Sequence, residues 1–368
     1  MRRSTMSERS KHLLETVPEA VDAVVLSPGE TLRYFTELVM HKSERPTLVI
    51  LSREDRPAAV LPKLETDRAR GALPDADFYT YGEATDPVVS AREAFEQLAV
   101  DRGFEGPFGA EFRSTRLLES SVFVPETAEV VDVSDAISTL RTRKDDDEIE
   151  KLRTAVEIVE EIIEAALNEI EPGMTEQDIV KRIQRRVVDS NADTFGLGMV
   201  TAGERTAYPH ANTSARAIKK NEPVMIDAGV VYEGYHSDIT RTVAVGDPGE
   251  EFRDLYEVVK EAAAVARETV APGVEAQAVD RAAREVIEEA GYGEYFPHRV
   301  GHGIGLEGHE PPYLVEGNDS TLKLGHAVTI EPGVYVPDLG GVRIEDDVVV
   351  DEEGADVLST STRDLRHL

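Results

Sequence analysis

Four acidic residues interrupt apolar, Val- and Ile-rich stretches in the second half of this 368-residue chain. Asp227 stands in VMIDAGVVY (224–232), and Asp238 follows 11 residues later in HSDITRT. Glu331 stands in AVTIEPGVYV (327–336), and Glu345 follows 14 residues later in GVRIEDD. An ionised carboxylate in such a strand is costly unless something compensates it. Four of them facing one cleft would repel one another, and divalent cations would remove that penalty.

Histidine adds to the pattern. His298, His302 and His309 fall within HRVGHGIGLEGHEPP (298–312), and His210 lies in AYPHANTS. Glycines flank His302, so backbone and ligand can approach closely there. One neutral imidazole with four carboxylates is a hard, oxygen-dominated donor set, better suited to Mn, Fe or Co than to structural zinc. A plainer reading competes. Arg241 and Arg343 are close in sequence to Asp238 and Glu345, and two ion pairs would explain half the acids.

These residues need strands and a cleft to hold them. IEPGMTEQDIVKRIQRRVVDSN (170–191) and VAPGVEAQAVDRAAREVIEEAG (270–291) form a weak internal repeat, each turning at Pro-Gly between two helices. Each copy is followed by strand segments: 224–232 with 241–246, and 327–336 with 341–350. The expected architecture is therefore two similar α+β halves with a cleft between their sheets. A long helix is expected over 144–170, with Asp145, Asp146 and Asp147 at its N-terminus. An acidic triplet can also be read as a cation site, but consecutive side chains on one turn point in different directions. Upstream, AVVLS (23–27), PTLVILSR (46–53), PAAVLP (57–62), FYTYG (78–82) and EVVDVS (129–134) read as strands, with an amphipathic helix over 88–98. The expected division is an α/β domain over 1–136 and a second domain over 137–368.

Composition excludes several classes. The chain has no cysteine, which removes thiol catalysis, disulfides and cysteine-ligated metals. Its net charge of −32 disfavours nucleic-acid binding. No apolar run approaches the ~20 residues of a membrane span. MRRSTMSERSKHLLE lacks an apolar core, so no secretory signal is expected and a cytoplasmic location is.

IDAGVVYEGYHSDITRT, HRVGHGIGLEGHEPP, TIEPGVYV and GVRIEDD together resemble the proline-specific metallopeptidases of the creatinase/prolidase superfamily, the "pita-bread" fold. The resemblance implies an α+β chain: an N-terminal α/β domain of the creatinase/prolidase type, then a pseudo-twofold pita-bread catalytic domain. It implies Asp227, Asp238, His302, Glu331 and Glu345 as ligands of two divalent ions per chain, manganese first, with cobalt, iron or zinc as alternatives. His210, His298, His309 and Arg343 would handle substrate and protons, and Glu331 would also take a proton from water. The substrates implied are small peptides with proline at the second position, and the implied assembly is a homodimer. SPGETLRYFTEL (27–38) departs from the family pattern, with Thr31 and Glu37 where asparagine and glycine are usual. The expected activity is hydrolysis of Xaa-Pro bonds by an Xaa-Pro dipeptidase or aminopeptidase. The alternatives are another metal-dependent reaction on the same fold, such as a lyase acting on a small zwitterion, and a binding or scaffold protein without turnover.

Lysine is scarce, 10 against 30 Arg, and with the acidic excess this resembles proteins from salt-rich cytoplasm. Repulsion among the charges is long-ranged in dilute buffer, with a Debye length of ~30 Å at 0.01 M and ~3 Å at 1 M. With divalent cations held saturating, the melting temperature is expected to rise from about 0.1 M to about 2 M KCl. A flat or falling melting temperature in that series contradicts the expectation.

Overall fold

The computed structural model describes residues 6–53, 56–82, 86–124 and 129–368. The first five residues of the stretch read for a leader lie outside the described residues. The chain divides into two compact units, one ending at Arg141 and one beginning at Thr142.

In the first unit, the described residues form a six-stranded mixed sheet. Its strands are β1 (Ala23–Leu26), β2 (Leu48–Ser52), β3 (Ala58–Pro62), β4 (Asp77–Tyr81), β5 (Phe108–Ala110) and β6 (Val130–Asp132), ordered β4-β3-β2-β1-β5-β6. Six helices accompany it: α1 (Glu8–Thr16), α2 (Glu30–Thr36), α3 (Thr66–Ala72), α4 (Pro87–Arg102), α5 (Leu117–Phe123) and α6 (Ser134–Thr142). β1, β2 and β3 are buried throughout, as their continuous apolar runs require. α4 starts at Asp86, whose side chain caps Val88 and Val89, and buries Ala91, Phe95 and Leu98. Phe95 meets Phe108 edge to face, 5.4 Å between centroids. The sequence reading missed β5, three residues in a Gly- and Pro-rich stretch.

The unit boundary falls after Arg141, whereas the expected one, after residue 136, lies inside α6. The end of that helix is tied to α2: the Tyr34 hydroxyl donates to Leu140 O (2.9 Å) and Arg141 Nη1 to Thr31 Oγ1 (3.0 Å). Thr31 in turn donates to Glu111 Oε2 at 2.7 Å, so its hydroxyl is spent inside the unit. Glu37 caps α2 in the left-handed conformation, φ 60°. That explains why glycine is usual there: a side chain at that φ is strained.

The second unit opens with α7 (Asp146–Leu167), the long helix expected. Leu152, Ala155, Val156, Val159, Ile162, Ile163 and Ala166 form its buried stripe. Asp145 and Glu148 form a reciprocal capping box at its start. The first half continues through α8 (Glu176–Asp189), β7 (Thr194–Ala202), β8 (Glu222–Tyr232), β9 (Tyr235–His236) and β10 (Ile239–Val245). The second half holds α9 (Glu250–Thr269), α10 (Ala276–Glu289), β11 (Gly301–Gly303), β12 (Glu310–Leu314), β13 (Ala327–Ile330), β14 (Gly333–Val336), β15 (Gly340–Arg343), β16 (Asp346–Val350) and β17 (Ala355–Val357). The sheets are ordered β10-β8-β7, with β9 beside β8, and β12-β11-β13-β16-β17, with a separate β14-β15 hairpin.

The internal repeat extends to individual hydrogen bonds. Gly173 N donates to Ile218 O, and Gly273 N to Leu322 O, both at 2.8 Å. Ile218 N returns to Met174 O as Leu322 N returns to Val274 O. One difference decides the shape of the second half. β8 runs unbroken through Asp227, whereas 327–336 divides at Glu331–Pro332 and 341–350 divides at Ile344–Glu345. Proline cannot donate to a strand ladder, so the strand stops there. The two halves meet at β10: Glu345 N donates to Thr240 O (3.1 Å), and Thr242 Oγ1 to Arg343 O (3.0 Å). Among the described residues, no helix is long and apolar enough to cross a membrane.

The capping box assigns the Asp145–Asp147 triplet to helix initiation. Asp145→Ala is expected to lower stability by about 1 kcal/mol in urea unfolding and leave divalent-ion stoichiometry unchanged. A loss of bound ion would restore the cation reading of the triplet.

Candidate metal centre

Asp227 lies in the middle of β8, opposite Thr240 on β10. Asp238 immediately precedes β10, its N–H donating to Asp347 Oδ2 at 3.0 Å. Glu331 and Glu345 flank the paired residues Ile330 and Asp346 of β13 and β16. The strand pairing therefore brings both acid pairs to one place. His302, on β11, is held by its N–H on Thr329 Oγ1, 3.2 Å.

Among the described residues, the potential ligand atoms fall into three groups, each within 4.8 Å: Asp227, Asp238 and Glu345; His302, Glu331 and Glu345; and Asp238, His302 and His309. Glu345 belongs to the first two groups, Asp238 to the first and third. His302 Nδ1 faces Gly303 O at 3.0 Å, so that nitrogen carries the proton and Nε2 presents a lone pair. Nε2 lies 3.4 Å from Glu331 Oε1.

Asp227 Oδ1 and Asp238 Oδ1 are buried without a hydrogen-bond partner. Orphaned carboxylate oxygens at that depth are costly. Beside an imidazole lone pair and two further carboxylates, they form a donor set that divalent cations fit.

The electrostatics agree. Burial, then repulsion from Asp227, Asp347 and Glu331, holds the Asp238 carboxyl well above the usual carboxylate range. Burial, then Asp238, Glu331 and Asp227, does the same to Glu345. Burial pushes Glu331 up to about 7, with Arg343 opposing. Burial, then His309, drives His302 down to about 3, so its imidazole is neutral.

The ion pairs expected from sequence proximity are not the ones formed. Arg343 Nη2 bonds Asp227 Oδ2, not Glu345. Arg241 bonds Asp346 Oδ1 at 2.8 Å, not Asp238. Side chains alternate along a strand, so Thr240 and Glu345 share one face while Arg241 and Asp346 share the other. Fully buried Asp346 there also meets Arg267 and Arg363.

The remaining expected residues divide. His309 lies against His302, with ring centroids 3.9 Å apart and the planes inclined by 41°. His298 lies outside the three groups, in a chain: Arg343 Nη1 donates to the Tyr335 hydroxyl (3.0 Å), which pairs with His298 Nε2 (2.9 Å). His298 Nδ1 faces Arg299 O at 2.8 Å, and burial lowers its pKa to about 4. His210 is exposed on a loop lining a shallow cavity of roughly 580 Å³ with Arg205 and Tyr208. Sequence reasoning missed Tyr335, Thr240 and Asp347, although all three stand inside the motifs it singled out.

Residues 150–352 match the model of metallopeptidase family M24, and residues 11–143 match the creatinase/prolidase N-terminal domain. An uncharacterized peptidase of Staphylococcus aureus is 32% identical over 355 residues, covering 96% of this chain and 99% of the relative. The structure is similar to that of an Xaa-Pro dipeptidase from Bacillus anthracis: TM-score 0.88, 31% identity, covering 98% of this chain and 99% of that one. It is also similar to an X-Pro aminopeptidase from Thermotoga maritima: TM-score 0.85, 29% identity, covering 98% and 100%. The chain belongs to metallopeptidase family M24.

The raised carboxyls have a pH consequence. Between the ordinary carboxylate range near ~4 and about 7, the unfolded chain has released protons that the cation-free native chain retains. The native state binds more protons in that window, so stability of the chelator-treated protein is expected to fall as pH rises through it. Cations compete with the same protons, so their affinity is expected to rise across the window, with proton release on binding. Melting curves and calorimetry in buffers of different ionisation enthalpy check both signs.

Proposed function

We propose that this M24 metallopeptidase hydrolyses the Xaa-Pro bond of small peptides with proline at the second position, using two divalent ions, manganese first. The observation that carries the reading is the pair of potential ligand groups sharing Glu345, with orphaned Asp227 Oδ1 and Asp238 Oδ1 beside them. Asp227, Asp238 and Glu345 would hold one ion, and His302, Glu331 and Glu345 the other. When bound, such ions supply a Lewis acid and lower the pKa of water toward neutrality. The likeness to an Xaa-Pro dipeptidase and an X-Pro aminopeptidase supports the substrate class.

Glu331 suits a proton-carrying role. It keeps 17% of its side chain open, so one of its oxygens can reach a water beside the ions, take its proton and pass it on. A proline nitrogen in a peptide bond carries no hydrogen, so it must be given a proton as it leaves, and Glu331 returns it. His309 is less buried than His302 and offers an N–H to the developing oxyanion. Arg343, Tyr335 and His298 hold one another and Asp227 Oδ2, which fixes that wall of the site.

The test is a panel of Xaa-Pro dipeptides, Xaa-Pro tripeptides and Xaa-Ala controls, offered to metal-depleted protein before and after adding Mn²⁺. Cleavage confined to the Xaa-Pro bond and dependent on the ion is expected. Asp238→Ala and Glu331→Ala should abolish turnover and lower metal content. His302→Ala should lose metal, whereas His309→Ala should keep it and lose roughly 10²–10³-fold in kcat. Equal metal loss in both histidine variants, or no hydrolysis with any of Mn, Co or Zn, contradicts the reading.

A further inference from the structure

Thr240 is fully buried on β10, opposite Asp227. Its hydroxyl is 2.6 Å from Glu345 Oε2 and 3.0 Å from Arg343 Nε. The direction of both bonds follows from chemistry. A guanidinium N–H can only donate, so the threonine oxygen accepts from Arg343. Its single proton therefore goes to Glu345, which receives it as an acceptor.

That one hydroxyl touches both halves of the site. Glu345 is the carboxylate common to two of the three potential ligand groups. A donor fixed on its Oε2 sets the rotation of the carboxyl plane and leaves Oε1 directed by default. On the other side, the hydroxyl anchors the guanidinium that bonds Asp227 Oδ2, leaving Asp227 Oδ1 as the free oxygen. The backbone reinforces the register, since Glu345 N donates to Thr240 O. A valine would fill the same strand position and bury the same surface, with no group to orient either partner.

We propose that Thr240 is a positioning residue for the metal centre: its hydroxyl fixes Glu345 as the carboxylate shared by two cations and holds Arg343 away from the remaining oxygens. The inference rests on the two-ion reading above and extends it to a side chain that touches neither substrate nor cation. Removing the hydroxyl lets the Glu345 carboxyl turn and frees Arg343 to compete for acid oxygens, so both cation positions weaken together.

The experiment is a titration of metal-depleted full-length protein with Mn²⁺, read as stoichiometry and dissociation constant by calorimetry or chelator competition. Wild type, T240V, T240S and T240A are compared, with melting curves recorded in chelator. T240V is expected to lose roughly 10–100-fold in Mn²⁺ affinity while still unfolding cooperatively without cation, at a lowered melting temperature because Arg343 Nε loses its acceptor. T240S is expected to recover affinity to within about threefold of wild type, because the donor returns. T240A repeats the deletion without valine's bulk and decides the matter should T240V not fold. Wild-type affinity and stoichiometry in the folded deletion variants would overturn this inference alone, as would a T240S as weak as T240V. A wild-type protein that binds no divalent ion overturns the two-ion reading and this inference with it.

Discussion

Everything in the second unit answers to the cost of placing Asp227, Asp238, Glu331 and Glu345 together with little water. Four carboxylates within reach of one another cannot all be ionised in a buried site without a large positive counter-charge. Among the described residues, the guanidinium hydrogen-bonded into the cluster is Arg343, and one cation does not balance four anions. In the cation-free chain the balance is met by protons. Divalent ions meet it without them, which converts an unfavourable cluster into a binding site.

Alternation along the strands keeps this imbalance local. Thr240 and Glu345 face the cluster, while Arg241 and Asp346, one residue along, face away. There the charge problem is inverted: one fully buried aspartate is surrounded by Arg241, Arg267 and Arg363. These three guanidiniums hold the Asp346 carboxyl down at about 2, against the opposing effect of burial. Adjacent residues of the same type therefore have opposite electrostatic fates, decided by strand register rather than composition. Asp347 returns to the cluster side and ties the backbone of Asp238.

This is also why the sequence was legible in some places and not in others. A charged residue in an apolar strand is conspicuous, so Asp227, Asp238, Glu331 and Glu345 stood out without any structure. His302 stood out through its flanking glycines, and α7 through its 3.6-residue stripe and its acidic start. The strand break at Pro332 could have been anticipated from proline alone. The plainer ion-pair reading fails because nearness along the chain says nothing about which face a side chain takes. Tyr335 and Thr240 were passed over for another reason: a hydroxyl in a strand has no signature, and its role appears only when its donors and acceptors are counted. Asp347 was hidden among three successive acids, Glu345 to Asp347, since the sequence does not say which of them face the cluster.

The separation of the ligands along the chain bears on how the protein reaches its working state. The Thr240–Glu345 bond spans 105 residues and the Arg343–Asp227 pair 116, contacts of the kind that form late because a long loop must close first. The first half can bury α7 against β8 and present Asp227 and Asp238, yet it offers no Glu345 and no His302. A chain arrested before its second half has folded therefore has acids but no complete coordination cage. Cations that need ligands from both halves would then bind the finished architecture and stabilise it by mass action. An unfinished chain would therefore lack a complete ligand set, and the site would exist only once the two halves have met.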